Sequence, residues 1–394
     1  MKISPWPQFS SDEIKAVNRV LTSGKVNRWT GSETSFFEKE FAENCGTKYA
    51  IALANGSLAL TAAYKSLGLK AGDELITTSR TFIATASCAA MLGVKIIFAD
   101  VDKNSGAITA ESIKPLISKK TKAISVVHLG GWPANMDSIC NLAKTYNLYV
   151  VEDCSQAHGA FLKINGKEKS VGSFGDIATW SFCQDKIMTT GGEGGMIATN
   201  NNKLWEYIFS LKDHGKNFES LSKKVNSSSY KSIYDDLGTN YRLTELQSAI
   251  GRIQLSKLEK TIEIRTRNAL ILYDNLKSLA SLRIPMPDKN IKHAWYKFYC
   301  FIKPAFIKKG WCRDKIINEI MSFGYPAFSG SCSEIYLEKC FVDLGYFPTK
   351  RLPVAKELGE SSLMFLVHPT ITEVQMYEYA QIIKRTILEA TLQN

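Results

Sequence analysis

Short apolar segments alternate with longer segments of helical periodicity from about residue 47 onward. This alternation is typical of parallel strands that are joined by helical crossovers. The predicted strands are Tyr49–Leu53, Glu74–Thr77, Ile96–Asp100, Ala123–His128, Tyr149–Glu152, Ile177–Phe182 and Gly195–Thr199. The helices predicted between them include Leu58–Leu67, Thr85–Leu92 and Met136–Tyr146. The pattern therefore predicts an α/β domain with a mostly parallel sheet.

The two ends of the chain carry different patterns. Ser10 and Glu13 stand three residues apart before an apolar-periodic run, which is the signature of a capping box and predicts a helix through about Leu21. Residues 243 to 282 predict a long helical stretch. Further predicted elements are a strand at Trp295–Ile302 and helices near Cys312–Phe323 and Glu373–Leu392. We therefore predict a large domain over residues 1–255, with the N-terminal segment, and a smaller C-terminal α/β domain over residues 256–394.

The composition is that of a compact protein, with 45% hydrophobic and 22% charged residues. The nine cysteines are scattered and form no CxxC pair. Such cysteines are typical of a reduced compartment and argue against a disulfide framework or a metal site. The N-terminus does not resemble a secretory signal, and no apolar run is long enough to span a bilayer. We therefore expect a cytoplasmic protein with no membrane partner and no metal.

The formal charge of +11 and the pI near 9.0 would suit an anionic partner. The basic residues are dispersed, however, in short doublets such as Lys119-Lys120, and no basic helix interleaved with aromatic residues occurs. We therefore expect no nucleic-acid partner and at most weak steering of acidic substrates. A DNA-binding regulatory protein is the alternative from another class, and the net charge alone supports it.

Lys186 follows the predicted strand Ile177–Phe182 and leads into a glycine-rich segment at residues 189–195. Glycines let the backbone approach a ligand closely, and a partly desolvated lysine amine is a nucleophile toward aldehydes. A surface lysine beside a flexible loop would have the same local sequence. The segment alone does not decide between these interpretations.

Glu152 and Asp153 end the apolar strand that begins at Tyr149. The carboxyl ends of parallel strands face the crevice in which ligands bind. Pyridoxal 5′-phosphate (PLP) requires a carboxylate at its pyridine nitrogen, because the protonated ring accepts electrons from the amino donor. Asp153 fits this role, whereas the side chain of Glu152 is expected on the opposite face of the strand.

Asn55, Gly56 and Ser57 lie between a predicted strand and a predicted helix. A helix N-terminus offers free N–H groups and a positive dipole end, both of which suit a phosphate. An ordinary turn with Ser57 as the helix N-cap would have the same sequence. Together with Lys186 and Asp153, however, this turn supplies the three anchors that PLP requires.

With these residues in place, the chain resembles the DegT/DnrJ/EryC1/StrS family of PLP-dependent sugar aminotransferases. The resemblance covers about residues 29 to 368. Its matching stretches are residues 55–60, 81–86, 127–137, 151–160, 181–195, 240–247 and 293–296. It implies the aspartate-aminotransferase type of fold (PLP fold type I), in which helices flank a mostly parallel mixed sheet. The chain departs from the family pattern at Cys154 and Asn55, and neither change removes a required function.

The resemblance also implies roles for individual residues. Lys186 would bind the cofactor through a Schiff base, and Asp153 would hold the protonated ring nitrogen. The other implied cofactor contacts are Phe82 on the ring face, Gln156 near the ring oxygen, Gly56, Ser57 and Ser181 at the phosphate, and Asn240 at the phosphate of the neighbouring subunit in a homodimer. The candidate sugar contacts are His293, Ser329 and Ser331, for which a core histidine and a polar turn are the alternatives. His158 could line the site or serve the core.

Family members that dehydrate sugars carry histidine at the position of the Schiff-base lysine, and an imidazole cannot form that bond. Lys186 therefore favours transamination over the alternative, a PLP-dependent sugar dehydratase on the same fold. We expect L-glutamate as the amino donor, released as 2-oxoglutarate, and a keto- or aldehydo-sugar as the acceptor. The acceptor that we expect first is a nucleotide-linked keto-deoxyhexose, and the second possibility is a free oxidised Kdo-type octulosonate. The product would be used in the biosynthesis of surface polysaccharide or lipopolysaccharide.

Overall fold

The computed structural model describes residues 2–218 and 234–392. Its helices are α1 (Ser11–Ser23), α2 (Glu33–Cys45), α3 (Gly56–Ser66), α4 (Ala84–Ala90), α5 (Ala110–Ile113), α6 (Met136–Tyr146), α7 (Asn202–Leu211), α8 (Glu245–Ser256), α9 (Leu258–Leu276), α10 (Arg313–Ser322), α11 (Lys339–Asp343), α12 (Pro353–Ser361) and α13 (Glu373–Ala390). Its strands are β1 (Tyr49–Leu53), β2 (Glu74–Thr78), β3 (Lys95–Ala99), β4 (Thr121–Val127), β5 (Tyr149–Asp153), β6 (Phe161–Ile164), β7 (Lys167–Ser170), β8 (Ile177–Ser181), β9 (Gly195–Thr199), β10 (Leu282–Arg283), β11 (Ile291–Lys292), β12 (Phe298–Ile302) and β13 (Ser362–Phe365).

A seven-stranded mixed sheet forms the centre of the N-terminal part, with strand order β1–β9–β8–β5–β4–β2–β3. Strands β3, β2, β4, β5 and β8 run parallel, whereas β9 is antiparallel to both β1 and β8. Helices cover this sheet, and its strands are apolar and mostly buried on both faces, as expected for parallel strands. The predicted α/β fold with a mostly parallel sheet is confirmed.

Local capping signals set where two of the helices begin. The capping box of Ser10 and Glu13 is present at the start of α1. Helix α3 begins at Gly56, two residues before the predicted start, because the Asn55 side chain accepts a hydrogen bond from the Leu58 N–H at 2.9 Å. The interpretation of Ser57 as the N-cap is therefore wrong, and Asn55 has that role.

The helical stretch predicted over residues 243 to 282 consists of two helices. Helix α8 ends at Ser256, and α9 begins at Leu258 and ends at Leu276. Between them, Lys257 binds both carboxylate oxygens of Glu13 in α1, at 2.9 and 3.0 Å. The break is thus accompanied by a tertiary ion pair that no local pattern reveals.

The hairpin of β6 and β7 was not predicted, although its signal is present. Asn165 and Gly166 connect the two strands with φ values of 51° and 79°. An Asn-Gly pair with two positive φ angles is typical of a two-residue hairpin turn. Strand β11 pairs with β6, so the hairpin joins the N-terminal part of the chain to residues 291–292.

The C-terminal part contains a three-stranded antiparallel sheet, β10–β12–β13. Helices α9, α10 and α13 pack on it through an apolar cluster that also takes in Ile3 from the N-terminus. Strand β12 begins at Phe298, three residues after the predicted start, because Trp295 has a φ of +48° that extended backbone does not allow. Within residues 2–218 and 234–392, none of the helices has both the length and the apolar character that a membrane span requires.

Candidate active site

A cavity of about 1220 Å³ lies at the carboxyl ends of β5 and β8. One wall comes from the large sheet and its first helices, and it includes Gly56, Ser57, Phe82, Asp153, Gln156, Ser181 and Lys186. The other wall comes from the N-terminus and the C-terminal part, and it includes Trp6, Tyr296, Lys297, Tyr299, Ser331 and His368. We call these the sheet wall and the C-terminal wall.

Lys186 lies in the turn that follows β8, with its side chain 16% exposed. Its Nζ atom is 3.4 Å from Oδ1 of Asp185 and 5.2 Å from the centre of the Tyr296 ring. The indole N–H of Trp6 donates to the Lys186 carbonyl at 2.9 Å and so ties this turn to the N-terminus. The amine therefore lies in the cavity and not on the free surface.

Asp185 and Tyr296 form a pair beside Lys186 that the sequence analysis missed. The Tyr296 hydroxyl donates to the Asp185 carboxylate. Burial alone would raise the pKa of the Asp185 carboxyl, but Lys186 and the Tyr296 hydroxyl lower this pKa overall. Burial and the same carboxylate raise the pKa of Tyr296 well above its usual value. An ionised carboxylate therefore lies within ion-pair distance of the Lys186 amine.

Asp153 is the last residue of β5 and is 5% exposed. Its Oδ2 atom accepts a hydrogen bond from the Thr85 hydroxyl at 2.8 Å, and Oδ1 accepts one from the Ser155 N–H at 3.1 Å. Two donated hydrogen bonds fix the direction of this carboxyl group. The carboxylate is therefore held in place at the cavity.

Glu152 lies on the opposite face of β5, and the hydrogen-bond partners of its carboxylate among the described residues belong to the core and not to the cavity. It accepts hydrogen bonds from the N–H groups of Gly172, Phe174 and Gly175, and His128 Nε2 lies 3.1 Å from it. Burial raises the pKa of Glu152, but these contacts lower it overall. His128 Nδ1 accepts from the Ala134 N–H at 3.0 Å, so both of its nitrogens are engaged. Because successive side chains of a strand point to opposite faces, the carboxylates of Glu152 and Asp153 lie on opposite sides of β5.

The start of α3 forms a cradle against the end of β8. A Cβ atom on Gly56 would lie 2.7 Å from the Cβ of Ser181, so a glycine is needed for this approach. The N–H groups of Gly56 and Ser57 have no acceptor within the helix. Together with the hydroxyls of Ser57 and Ser181, they form a concave set of donors at a helix N-terminus, which fits the phosphate of PLP.

Two further residues of the sheet wall can contact the ring of a bound PLP. Phe82 is 66% exposed and lines the cavity, so its ring is free to stack on a planar group. Gln156 Oε1 accepts a hydrogen bond from the Gly130 N–H at 2.7 Å, which leaves its amide N–H₂ available to a ligand. The residues of this wall therefore fit PLP.

The structure places other predicted residues away from the cavity. His158 is buried against Phe182, and burial lowers its pKa to about 3. His293 stacks on Trp295 with ring centres 4.0 Å apart and lines a separate cavity of about 30 Å³. Burial lowers the pKa of His293 to about 3, so both histidines are neutral.

Of the three predicted sugar contacts, only Ser331 lies on the cavity wall. Its N–H donates to the Tyr299 hydroxyl at 3.2 Å. Ser329 lies outside the cavity lining, and its carbonyl accepts a hydrogen bond from the Ser362 hydroxyl. His293 also lies outside this cavity, next to Trp295 with its positive φ. Asn240 is exposed outside the cavity of its own chain, and its Oδ1 accepts from the Arg242 N–H at 3.2 Å.

Comparison with known proteins agrees with this geometry. The model of the DegT/DnrJ/EryC1/StrS aminotransferase family matches residues 7–384. The chain is 32% identical over 382 residues to the dTDP-3-amino-3,6-dideoxy-alpha-D-galactopyranose transaminase of Aneurinibacillus thermoaerophilus, and the match covers 96% of each chain.

Two solved structures are similar along nearly the whole chain. An aminotransferase from Psychrobacter cryohalolentis is 48% identical with a TM-score of 0.95, covering 98% of this chain and 99% of that one. The E. coli GDP-4-keto-6-deoxy-D-mannose-3-dehydratase with bound hydrated PLP is 26% identical with a TM-score of 0.83, again covering 98% and 99%. The chain therefore belongs to the DegT/DnrJ/EryC1/StrS aminotransferase family and is a PLP-dependent aminotransferase.

Proposed function

We propose that this enzyme transfers an amino group from L-glutamate to a carbonyl-bearing sugar, with Lys186 and Asp153 as its catalytic residues. The observation that carries the proposal is the position of the Lys186 amine in one cavity with a hydrogen-bonded Asp153 and a phosphate cradle. The cavity, at about 1220 Å³, exceeds the roughly 300–1,000 Å³ of ordinary ligand pockets. It therefore has room for a cofactor and a large second substrate.

The sheet wall would hold the cofactor. PLP, when bound, supplies an aldehyde carbon and an electron-withdrawing ring. Asp153, oriented by Thr85 and Ser155, would keep the ring nitrogen protonated. The backbone N–H groups of Gly56 and Ser57 would bind the phosphate, together with the Ser181 hydroxyl.

Lys186 would move the protons of both half-reactions. Its amine would take a proton from the donor carbon that bears the amino group and later deliver one to the sugar carbon that receives it. Asp185, at 3.4 Å, would orient the ammonium form, and Tyr296 fixes Asp185 in turn. The low exposure of Lys186 would limit competing reactions with water.

The relatives support a nucleotide-linked acceptor. The name of the A. thermoaerophilus transaminase contains a dTDP-linked 3-amino-3,6-dideoxy sugar, and that of the E. coli dehydratase contains a GDP-linked 4-keto-6-deoxy sugar. A nucleotide-linked keto-deoxyhexose is therefore the first acceptor that we propose, and a free oxidised Kdo-type octulosonate is the second. We place the reaction in the cytoplasm, in the biosynthesis of surface polysaccharide or lipopolysaccharide.

We also propose a homodimer whose active sites are shared. Asn240 is exposed outside its own cavity, so its amide is free to reach the phosphate in a neighbouring subunit. The exposed apolar side chains include Leu237 at 91% and Met91 at 84%, and exposed apolar surface marks interaction sites. A helix-capping role for Asn240 is the local alternative.

Subunit exchange tests the shared site. Mixing inactive Lys186→Ala protomers with inactive Asn240→Asp protomers places both defects in one site of each heterodimer and leaves the other site intact. Activity should therefore return in proportion to the heterodimer fraction. No recovery after confirmed exchange, or full activity in a monomer, would contradict the shared site.

A panel of sugars tests the function itself. The protein is first converted to its pyridoxamine form with L-glutamate, and each keto-sugar or oxidised octulosonate is then added. Return of the PLP absorbance band with a sugar identifies an acceptor. A sugar that loses a hydroxyl group without gaining an amine would instead identify a dehydratase.

A further inference from the structure

The C-terminal wall contains cations that form no ion pair within the described residues. Lys297 lines the cavity, Arg265 lies behind it, and neither has a carboxylate oxygen within ion-pair distance in residues 2–218 and 234–392. Arg80, which is 1% exposed, adds a further charge behind Tyr299, and among the described residues its guanidinium donates to the hydroxyls of Ser333 and Ser362. This concentration of unpaired cations is the feature that the proposed function does not use.

Lys297 is the cation that a ligand can reach. Its Nζ atom lies 4.6 Å from the centre of the Tyr296 ring, and the Lys186 Nζ lies 5.2 Å from the same centre. The two amines are therefore neighbours around one ring. In the described part of the chain, the Lys297 ammonium has no hydrogen-bond acceptor. Burial, opposed by Asp185 and reinforced by Arg265 and Lys186, lowers its pKa to about 8.

Arg265 reinforces this position from behind the wall. It is 1% exposed, and its Nη1 atom donates to the carbonyls of Trp295 and Tyr296 at 3.3 and 3.2 Å. Its Nε and Nη2 atoms are buried and have no acceptor among the described residues. The guanidinium lies 5.4 Å from the centre of the Trp6 ring, which itself lines the cavity. Arg265 thus adds positive charge and holds the backbone that leads to Lys297.

Four residues with carboxylates line the cavity, Asp153, Asp185, Glu193 and Glu338, and none of them forms an ion pair with Lys297 or Arg265. Asp185 accepts from Tyr296 and lies 3.4 Å from Lys186. A buried cation without a counter-charge is unfavourable, so a wall of this kind is best completed by an anionic ligand.

We propose that Lys297, reinforced by Arg265, binds a carboxylate group of a substrate of this enzyme. The inference rests on the proposed function, because an amino donor and an acidic sugar are the substrates that would bring a carboxylate into the cavity. L-Glutamate carries one carboxylate on the reacting carbon and one at its far end, whereas an oxidised acidic sugar carries one of its own. Lys297 is therefore proposed as a specificity-determining residue on the C-terminal wall.

Calorimetric titration of the purified PLP enzyme with 2-oxoglutarate tests the proposal without turnover. Lys297→Met removes the charge and keeps the length of the side chain, and Lys297→Arg keeps the charge. We expect the Met variant to bind 2-oxoglutarate at least about tenfold more weakly, as expected for the loss of one charge-assisted hydrogen bond, and the Arg variant to stay within about threefold of wild type. Thermal melting of both variants controls for folding, and a purely structural role would not give this rescue.

Three other probes identify the source of the carboxylate. Pyruvate has only the carboxylate beside the carbonyl, succinic semialdehyde has only the distal one, and D-glucuronate stands for an acidic sugar. A loss of affinity in Lys297→Met for any of these, or for 2-oxoglutarate, supports the proposal and names the group that is bound. Unchanged affinity for all four in a folded Lys297→Met variant would overturn it.

The binding experiment also separates this inference from the proposed function. A protein that binds 2-oxoglutarate through Lys297 but aminates no sugar would contradict the proposed acceptor alone. A protein that aminates a sugar and binds all four probes equally well with and without the Lys297 charge would contradict the carboxylate site alone.

Discussion

The two walls of the cavity are built in different ways. The sheet wall takes Asp153, Ser181 and Lys186 from the ends of the neighbouring strands β5 and β8 and Gly56 from the start of α3. Its Asp153 carboxylate already has two hydrogen-bond donors. The C-terminal wall collects side chains from the N-terminus and from several separate C-terminal segments, and its Lys297 forms no ion pair among the described residues. The first wall is thus organised before any substrate arrives, whereas on the second wall we expect Lys297 to gain an ion-pair partner when a substrate binds.

The largest expected difference between the walls concerns their two lysines. Lys186→Ala should lower turnover by about 10⁴-fold, because general acid–base catalysis contributes up to about that factor. It should also abolish trapping of PLP by borohydride, which mass spectrometry of the digested protein measures. Lys297→Met on the opposite wall should keep that trapping. PLP trapped on a lysine other than Lys186 would contradict our central assignment.

The two carboxylates at the end of β5 provide the next comparison. Asp153→Asn should lower turnover by about 10²- to 10³-fold, the effect expected for removal of one preorganised electrostatic group, with little change in stability. Glu152→Gln should instead lower the free energy of unfolding by about 1–3 kcal/mol, because it disturbs a buried hydrogen-bonded charge. Steady-state kinetics and urea unfolding of both variants measure the difference. The reverse pattern would mean that Glu152 faces the chemistry.

Small substitutions on the two walls test which wall binds the phosphate of PLP. Gly56→Ala brings a Cβ within 2.7 Å of the Ser181 Cβ, so we expect PLP binding to weaken by about 1–3 kcal/mol, as for overpacking at a close contact. Ser331→Ala on the C-terminal wall should leave PLP affinity unchanged. Fluorescence titration of the cofactor-free proteins with PLP provides the measurement. Equal PLP affinity in both variants would contradict the assignment of the phosphate to the cradle at the start of α3.

The smallest effect concerns acid stability and involves two buried histidines, His158 outside the cavity and His368 on the C-terminal wall. Burial lowers the pKa of His158 and of His368 from 6.5 to about 3. The folded state therefore binds fewer protons than the unfolded state between these values. The contribution of these histidines to the free energy of unfolding is fully present above pH 6.5. It falls as the pH is lowered toward 3, by at most about 1.4 kcal/mol per pH unit for each histidine.

Replacing either histidine tests this acid sensitivity. In His158→Gln and His368→Gln, the slope of unfolding free energy against pH between pH 6 and pH 4 should decrease by up to one proton, and the two decreases should add. Urea unfolding at several pH values gives the slopes. Unchanged slopes would mean that these histidines titrate normally in the folded protein.

The sequence alone was sufficient for the sheet and for the family. Period and composition predict the strands and a mostly parallel sheet, because a strand buried on both faces must be apolar along its whole length, whereas the antiparallel pairing of β9 with β1 and β8 was not predicted. The turn at Asn55, Gly56 and Ser57 and the strand end at Asp153 are local features, so their position relative to the sheet follows from the chain order. Even the missed hairpin carried its signal, in the Asn165-Gly166 pair.

Only the tertiary structure decided what lies opposite the cofactor. Trp6, Lys297, Ser331 and His368 are far apart along the chain, and no periodicity indicates that they share one wall. The break at Lys257 and the exclusion of His293 from the cavity likewise accompany contacts between distant segments. Side-chain pairing of this kind depends on packing between separate elements, whereas strand and turn patterns depend on neighbouring residues. The sequence therefore predicted most of the sheet wall but, of the residues named here on the C-terminal wall, Ser331 alone.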